Sequence, residues 1–162
     1  MSTANKNLSE YDKATLPDVS QKSFAIVVAE WNSEVTEALF NGAYKTLIDA
    51  GVAKEKIIRL NVPGSLELTS GARFFADNKN VDAVICIGCV IEGETRHFEF
   101  ICNAVAGGLT QLCIQFNKPF IFGVLTPQNL QQAIDRAGGI HGNKGIEAAV
   151  TAIKMVAIYQ GK

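Results

Sequence analysis

The sequence has little charge, and it lacks the runs and clusters that mark several large classes of protein. Charged residues make up 19% of its 162 residues, and the formal net charge is −1. No block of basic residues occurs, which argues against nucleic-acid binding through an electrostatic footprint. No apolar run reaches the ~18 residues that a transmembrane helix needs. The first 20 residues contain no apolar segment typical of secretory signals, so we expect a cytoplasmic protein without a membrane partner.

Two motifs for phosphate-containing ligands are missing or incomplete. No G-x-G-x-x-G occurs, so the dinucleotide-binding fingerprint is absent. The glycine-rich segment 138–145 looks like a phosphate loop, but no Ser or Thr follows Lys144 and no apolar strand leads into it. The segment is therefore either a connector between two helices or a turn that places Lys144 at a helix start.

Cysteine is scarce and is not arranged as a metal site. Cys86 and Cys89 form one C-x-x-C, whereas Cys102 and Cys113 do not supply the second one that a zinc site requires. Cys86 lies within an apolar run and is expected in the core. Without a secretory signal, free thiols are expected rather than disulfides. We therefore expect neither a metal nor a redox centre.

What the sequence does contain is a regular alternation of apolar runs and helical patterns. Apolar runs predict strands at residues 24–29, 56–62, 82–87 and 119–124. Helices are predicted from a cap at Ser33 up to Gly51, and at 66–77, 96–116, 129–137 and 145–159. This alternation indicates an α/β three-layer sandwich around a four-stranded parallel sheet. The polar residues 1–22 are expected to form an N-terminal arm outside the core, which leaves residues 23–162 as the domain.

Apolar residues make up 48% of the chain, and their surplus over charged residues has two explanations. One is a set of strands that are buried on both faces. The other adds subunit contacts that bury outer surface as well. The third predicted helix favours the second explanation, because its stretch ICNAVAGGLTQLCI has no charged residue and little that suits solvent.

The ligand site of a parallel sheet lies beyond the carboxyl ends of the strands, and the loop after the third predicted strand is suited to an anion. This loop, residues 88–97, contains two glycines and reaches a helix start, where backbone N–H groups favour a phosphate. Thr95 can add a hydroxyl donor, and His97 can transfer protons near neutral pH. Local capping of the helix by His97 is the structural alternative.

Four further residues have both a functional and a structural interpretation. Trp31 follows the first predicted strand, and its ring either stacks on a planar ligand or packs in the core. Glu67 lies after the second strand, where it either binds a ligand or caps a helix. Arg136 is either a bidentate phosphate ligand or a surface residue. Phe122 lies within the fourth strand, where core packing is expected.

Several motifs occur in a fixed order along the chain. They are Glu30-Trp31-Asn32, Val62 to Glu67, Gly88 to Phe98, Phe122 to Thr126, Arg136 to Gly138, and Gly142 to Gly145. Together, across residues 24–158, they resemble the lumazine synthase family of riboflavin biosynthesis. The resemblance implies a flavodoxin-like fold and a transferase that condenses 5-amino-6-(D-ribitylamino)uracil with 3,4-dihydroxy-2-butanone 4-phosphate. A Schiff base would form, phosphate would be eliminated and the second ring would close with loss of water, which gives 6,7-dimethyl-8-ribityllumazine without a metal or organic cofactor.

The resemblance also implies site residues for the two small-molecule substrates. Around the pyrimidine ring it implies stacking by Trp31, cover by Phe122, and backbone contacts from Cys89, Val90 and Ile91. Ser65, Leu66 and Glu67 would hold the ribityl chain, with Glu67 accepting from its hydroxyls. Around the phosphate it implies contacts from Glu94, Thr95, Arg136 and Lys144. His97 would donate and accept protons. The family forms homopentamers with sites between subunits, and these occur alone, as decamers or as icosahedral 60-mers, with riboflavin synthase as a candidate partner.

Three residues depart from the family pattern or receive no role, and two other functions are alternatives to the enzyme. Glu92 stands where relatives often have Lys or Arg, and Leu66 replaces a frequent aromatic, so that no stacking role transfers to Leu66. His141 receives no role. A flavin-binding protein on the same scaffold and a shell subunit without catalysis are the alternatives. The joint presence of Thr95, His97 and Arg136 favours the enzyme, because a pure binder needs neither a proton shuttle nor a phosphate clamp.

Overall fold

The computed structural model describes residue 7 and residues 9–161. The strands are β1 Phe24–Ala29, β2 Ile57–Val62, β3 Ala83–Cys89, β4 Phe120–Leu125, β5 Ala137–Gly139 and β6 Gly142–Asn143. The α-helices are α1 Ser33–Asp49, α2 Leu68–Arg73, α3 His97–Phe116, α4 Leu130–Asp135 and α5 Lys144–Tyr159. Short 3-10 helices lie at Lys13–Thr15 and Lys54–Lys56.

The four longer strands form one parallel sheet in the order β2-β1-β3-β4. Phe24 at the start of β1 lies opposite Ile57 of β2 and opposite Ala83 of β3. Because the strands are parallel, their carboxyl ends meet at one edge of the sheet, which we call the carboxyl edge. It is formed by the strand ends at Ala29, Val62, Cys89 and Leu125. The predicted four-stranded parallel sheet is confirmed.

Alternate residues of the inner strands face two separate cores. Phe24 packs in the core that α1 and α5 cover, and Ala25 packs in the core that α2 and α3 cover. β1 and β3 are buried along their whole length, which explains their continuous apolar sequences. β2 is an outer strand with exposed residues, Ile58 and Arg59 among them. Burial on both faces therefore accounts for only part of the apolar surplus.

Several element bounds differ from the prediction, among them the end of α4, at Asp135 rather than at 137, and the ends of α2 and β3. α2 ends at Arg73 rather than at residue 77. After Arg73 the backbone hydrogen bonds are of the 3-10 type, from an N–H to the carbonyl three residues earlier. The Phe75 N–H, for example, donates to the Ala72 carbonyl at 3.0 Å. β3 continues to Cys89, two residues beyond its predicted end at 87. This extension moves Cys89 from the predicted loop into the strand.

The start of α1 corrects the prediction that Ser33 caps this helix. Ser33 is the first helical residue, and Asn32 occupies the capping position without a side-chain capping bond. The backbone of Asn32 is left-handed, with φ 60° and ψ 46°. The side chain of Asn32 is used elsewhere, as the next section describes.

The glycine-rich segment between α4 and α5 is a β-hairpin. β5 and β6 pair in antiparallel fashion, with Ala137 opposite Asn143. The segment therefore has more structure than the predicted connector. α5 begins at Lys144. This agrees with the second predicted alternative, a turn that places Lys144 at a helix start.

Part of the N-terminal segment packs on the domain. Val19 is 1% exposed and belongs to the core on the α1/α5 side, so residues before 23 do contribute to that core. The division of the chain after residue 22 stays a prediction, and residues 1–6 of the expected arm lie outside the described residues. None of the helices in the described part of the chain is long and apolar enough to cross a membrane.

Candidate active site at the carboxyl edge

The loop after β1 is tied to the loop after β2 by hydrogen bonds that continue the sheet past its strand ends. The Glu30 N–H donates to the Val62 carbonyl at 2.8 Å, and the Trp31 N–H donates to the Pro63 carbonyl at 3.2 Å. The side chain of Trp31 projects from this tied loop and is 73% exposed. Core packing of Trp31 is therefore wrong, and its ring is available for stacking on a planar ligand.

The loop after β3 is tied to β4 in the same way. The Val90 N–H donates to the Leu125 carbonyl and the Glu92 N–H donates to the Pro127 carbonyl, both at 2.9 Å. Val90 packs against the α2/α3 core and Ile91 against the α1/α5 core, so this loop is anchored on both faces of the sheet. The side chain of Glu92 is exposed to solvent.

Asn32 connects the loop after β1 to the end of β3. Its side-chain amide donates to the Cys89 carbonyl at 2.9 Å. Its left-handed backbone is a conformation that Asn adopts more readily than most residues other than glycine. Such strained residues cluster at functional sites. Asn32 thus fixes the position of Trp31 relative to residues 89–91.

The loop after β2 carries a buried hydroxyl without a partner. Ser65 is 7% exposed, and its Oγ accepts or donates no hydrogen bond within the described residues. A Cβ added to Gly88 would lie 2.8 Å from this oxygen, so the hydroxyl lies directly against the end of β3. An unpaired buried hydroxyl costs about 1–3 kcal/mol. A ligand that bonded to it would remove that cost.

Glu67 lies beside this hydroxyl in sequence and does not cap α2. It occupies the capping position of that helix, but its side chain makes no capping bond. Its Oε2 lies over Gly64, where an added Cβ would approach it to 3.0 Å. Leu66, between Ser65 and Glu67, is 47% exposed. The carboxylate of Glu67 therefore does not cap the helix, which was the structural alternative to binding a ligand.

The loop before α3 presents polar groups at the N-terminus of a 20-residue helix. Glu94, Thr95 and His97 are all exposed there, and Thr95 Oγ1 accepts from the His97 N–H at 3.4 Å. The first N–H groups of such a helix, together with its dipole, favour an anion. The imidazole of His97 has no hydrogen bond or ion pair with the described residues, so capping by its side chain is not observed. The ring is therefore available for proton transfer.

Cys86 and Cys89 lie on opposite sides of the sheet. Cys86 packs in the α2/α3 core, as predicted, and Cys89 packs in the α1/α5 core. Burial raises the pKa of both thiols, and that of Cys89 rises to about 11. The two sulfur atoms are thus not arranged as a pair, and Cys89 faces the carboxyl edge through its backbone carbonyl.

Three predicted site residues are not brought to this group. Phe122 is half-buried in β4 opposite Cys86 and lies three residues before the strand ends, about 10 Å from the edge. Arg136 and Lys144 flank the hairpin, which packs on the α1 side of the sheet. His97 begins α3 on the other side. Within one chain, the pair Arg136 and Lys144 and the helix start at His97 therefore lie on opposite faces of the sheet.

Arg136 is the arginine that is left without a carboxylate partner in the described part of the chain. Arg59, Arg73 and Arg96 each form an ion pair with an acidic residue. Arg136 is half-buried, and its guanidinium donates only to the Gln132 carbonyl at 3.2 Å. A guanidinium in this state can bind an anion with two parallel hydrogen bonds.

Lys144 is held more firmly than Arg136. Its Nζ lies 2.7 Å from the Glu147 carboxylate, one turn further along α5. Its N–H donates to the Arg136 carbonyl at 2.8 Å, which places the two residues next to each other in the hairpin. Its charge is therefore partly neutralised.

Two asparagines without a predicted role are central to this arrangement. Asn32 joins two strand ends, and Asn143 bonds both within the hairpin and to Ala38 of α1. Each lies in a short polar or glycine-rich stretch after an apolar element. Their places in the motifs Glu30-Trp31-Asn32 and Gly142 to Gly145 were a further signal, but neither signal reveals which distant carbonyl an amide will reach.

Comparison with known proteins gives one consistent result. Residues 21–160 match the family described as 6,7-dimethyl-8-ribityllumazine synthase. The protein of that name from Cytophaga hutchinsonii is 60% identical over 157 residues, which cover 97% of this chain and 98% of the relative. The one from Flavobacterium johnsoniae is 58% identical and covers 99% and 84% of the two chains. The one from Parabacteroides distasonis is 54% identical and covers 96% and 98%.

Proposed function

This chain belongs to the 6,7-dimethyl-8-ribityllumazine synthase family, and we propose that it carries out the reaction of that family at the carboxyl edge of its sheet. It is a transferase of riboflavin biosynthesis with two small-molecule substrates. The reaction condenses 5-amino-6-(D-ribitylamino)uracil with 3,4-dihydroxy-2-butanone 4-phosphate. One observation carries the placement of the site: an exposed tryptophan, an unpaired buried hydroxyl and the N-terminus of a long helix follow strands that end at the same edge.

The pyrimidine substrate fits the loops after β1, β2 and β3. Trp31 would stack on its ring, since this side chain is 73% exposed and its loop is held by Asn32. Backbone groups of Cys89, Val90 and Ile91 would bind the polar edge of the ring. The ribityl chain would lie along Ser65, Leu66 and Glu67. The Ser65 hydroxyl would gain the partner that it lacks, and the Glu67 carboxylate would accept from ribityl hydroxyls.

The phosphate substrate fits the loop before α3. Glu94 and Thr95 would contact its phosphate, and the N-terminus of α3 would stabilise the negative charge. His97 lies at the start of the same helix, where its free imidazole would accept and donate protons during Schiff-base formation, phosphate loss and ring closure. Much of the acceleration would come from holding the two reactive partners together, because a well-oriented pair gains several kcal/mol or more from proximity.

A second copy of the chain would complete this site. Arg136 and Lys144 flank a hairpin on the α1 side of the sheet, whereas His97 begins α3 on the other side. Phe122 packs on the α3 side, but three residues before the end of β4. We therefore place these three residues at the site of a neighbouring subunit, where Phe122 would cover the heterocycle. Arg136 would then clamp the phosphate with the guanidinium that lacks a carboxylate partner. Lys144 would add charge beside it, weakened by its pair with Glu147.

The outer face of α3 supports a homopentamer. No charged residue occurs between Phe100 and Phe116. Phe100 is 63% exposed and Ile114 is 78% exposed, so the helix presents apolar side chains outward. Exposed patches of this kind mark interfaces between proteins. We propose that α3 packs against its copies in a pentamer, which exists alone or within a larger shell and hands its product to riboflavin synthase in the cytoplasm.

The test of the activity is a two-substrate assay. The purified protein is mixed with both substrates, and the fluorescent lumazine and the released phosphate are measured together. We expect both products in equal amounts and well above the spontaneous rate. Formation at the spontaneous rate alone would overturn the proposed activity. Omission of the pyrimidine, with phosphate release still measured, controls for simple hydrolysis.

A further inference from the structure

The amide of Asn143 is buried between the hairpin and α1, where it makes three hydrogen bonds. Asn143 is 8% exposed. Its Nδ2 donates to the Ala38 carbonyl at 3.0 Å and to the Ala137 carbonyl at 3.2 Å. Its Oδ1 accepts from the Gly145 N–H at 2.8 Å. A side-chain amide has two N–H donors and a carbonyl oxygen with two lone pairs, so this geometry uses both donors and one of the two acceptor positions.

These bonds act on the peptide groups that follow Arg136. The Arg136 carbonyl accepts from the Lys144 N–H at 2.8 Å, and the next carbonyl, of Ala137, accepts from Asn143. The backbone that carries the Arg136 side chain is therefore held at two successive carbonyls, by Lys144 at the start of α5 and by Asn143 of β6. Within the described part of the chain, the guanidinium itself makes a single hydrogen bond, to the Gln132 carbonyl. Its direction thus depends on this backbone and not on an ion pair.

Asn143 also joins the hairpin to two other parts of the molecule. The Ala38 carbonyl belongs to α1, the helix that begins directly after Trp31 and Asn32. The Asn143 N–H donates to Ser9 Oγ at 2.9 Å, which connects the N-terminal segment to the hairpin. Asn143 therefore fixes where Arg136 stands relative to the helix that leaves the carboxyl edge.

The surroundings of Asn143 are built around its amide. A Cβ added to Gly42 of α1 would lie 2.5 Å from Asn143 Oδ1 and 2.9 Å from Nδ2. The amide thus occupies the space that a side chain at position 42 would fill. A residue of another shape at position 143 would not restore these bonds, and the neighbouring helix leaves it little room to move.

We propose that Asn143 is a positioning residue of the phosphate clamp: it holds the backbone of Arg136 and thereby sets the affinity for the phosphorylated substrate. This inference rests on the proposed function, in which Arg136 binds that phosphate in a neighbouring subunit. Asn143 touches neither substrate. It acts through Arg136, and the Ser9 hydroxyl supports it from the N-terminal segment.

The proposal predicts a selective effect on one substrate. Asn143→Asp keeps the shape and the acceptor but loses both donors, and it sets a carboxylate against two carbonyl oxygens. We expect the KM for 3,4-dihydroxy-2-butanone 4-phosphate to rise about tenfold or more, the loss typical of a weakened charge-assisted bond. The KM for the pyrimidine should change less than about twofold, since Trp31 and Glu67 are untouched. Asn78→Asp is the control, because it adds the same charge at the other edge of the sheet and keeps its bond from the Asn80 N–H.

A double-mutant cycle with Arg136→Ala shows whether Asn143 acts through Arg136. In the Arg136→Ala background, Asn143→Asp should raise the KM for the phosphate substrate by less than about twofold further. Equal rises in both KM values, or additive effects in the cycle, would overturn the positioning role. If Arg136→Ala itself left this KM unchanged, the proposed phosphate clamp would be wrong. The experiment thus distinguishes a failure of the clamp from a failure of the positioning role of Asn143.

If Asn143→Asp does not fold, a milder variant tests the positioning role of Asn143. Ser9→Ala removes only the acceptor of the Asn143 N–H and leaves the amide in place. We expect a rise of about two- to threefold in the KM for the phosphate substrate and no change for the pyrimidine. No change in either KM, with an unchanged melting temperature, would contradict the proposal.

Discussion

The side-chain amide of Asn32 donates to the Cys89 carbonyl at 2.9 Å, across 57 residues of sequence. This one bond joins the loop that carries Trp31 to the strand end that begins the loop of residues 89–97. Because Asn32 is also left-handed, the chain turns sharply into α1 at the same position. The stacking surface that we propose and the backbone groups beside it are therefore joined to each other through a single side chain.

Replacement of Asn32 should lower stability through two separate terms. Asn32→Ala loses the bond to Cys89 and also strains the left-handed backbone, and each term costs about 1 kcal/mol. Asn32→Gly loses the bond but relaxes the backbone, so it should cost less. Melting temperatures at one protein concentration measure both, and the KM for the pyrimidine should rise in both variants. A glycine variant less stable than the alanine variant would contradict the role of the left-handed turn.

Removal of the His97 imidazole should slow the reaction without abolishing it. General acid–base catalysis contributes roughly 10²–10⁴-fold, so kcat of His97→Ala should fall within that range. Activity should stay above the spontaneous rate, because the substrates are still held together. The other histidine of the chain offers a matched control, and His141→Ala should keep kcat within about twofold. Complete loss of activity in a folded His97→Ala variant would disprove this division between proton transfer and proximity.

A charge on the outer face of α3 should hinder assembly. Ala106 and Gly107 are both exposed in the single chain, and a Cβ on Gly107 would meet no atom within 4 Å. In Gly107→Asp the new Cβ therefore meets no described atom of its own chain. Ala106→Glu likewise adds its side chain at an exposed position. We expect smaller species in sedimentation velocity and lower activity with them. Asn41→Asp, on the exposed side of α1, should sediment as the unaltered protein does. A monomeric Gly107→Asp variant with full activity would refute a site shared between subunits.

Alkaline pH should weaken the fold through Cys89. Burial raises its pKa from 9.0 to about 11, so the folded state keeps the thiol proton at pH values where the unfolded chain releases it. The stabilising effect is complete below pH 9 and is lost as the pH rises toward 11, by about 1.4 kcal/mol per pH unit. Cys89→Ala should flatten the fall of the melting temperature across this window. Equal slopes for the two proteins would show that the thiol does not titrate in this way.

The sequence predicted those features that depend on local patterns. The strand at 24–29 was placed correctly because β1 is buried on both faces and reads as one apolar run. The cap at Ser33 was wrong because Asn32 takes the capping position, with its amide bonded to Cys89 far along the chain, which no local pattern shows. The β-hairpin was missed because its strands have only three and two residues and are rich in glycine. The position of Trp31 at a strand end indicated either an exposed ring or a ring packed in the core. Only the structure shows that the ring is exposed.

Mixed assemblies of two variants test the central claim most directly, namely that one catalytic site takes His97 from one chain and Arg136 from its neighbour. His97→Ala and Arg136→Ala are expressed together, and the activity is measured at low concentrations of the phosphate substrate. If partners mix at random, about a quarter of the sites contain both residues, so the mixture should be far more active than either variant alone. An activity equal to the mean of the two parent variants would contradict a shared site.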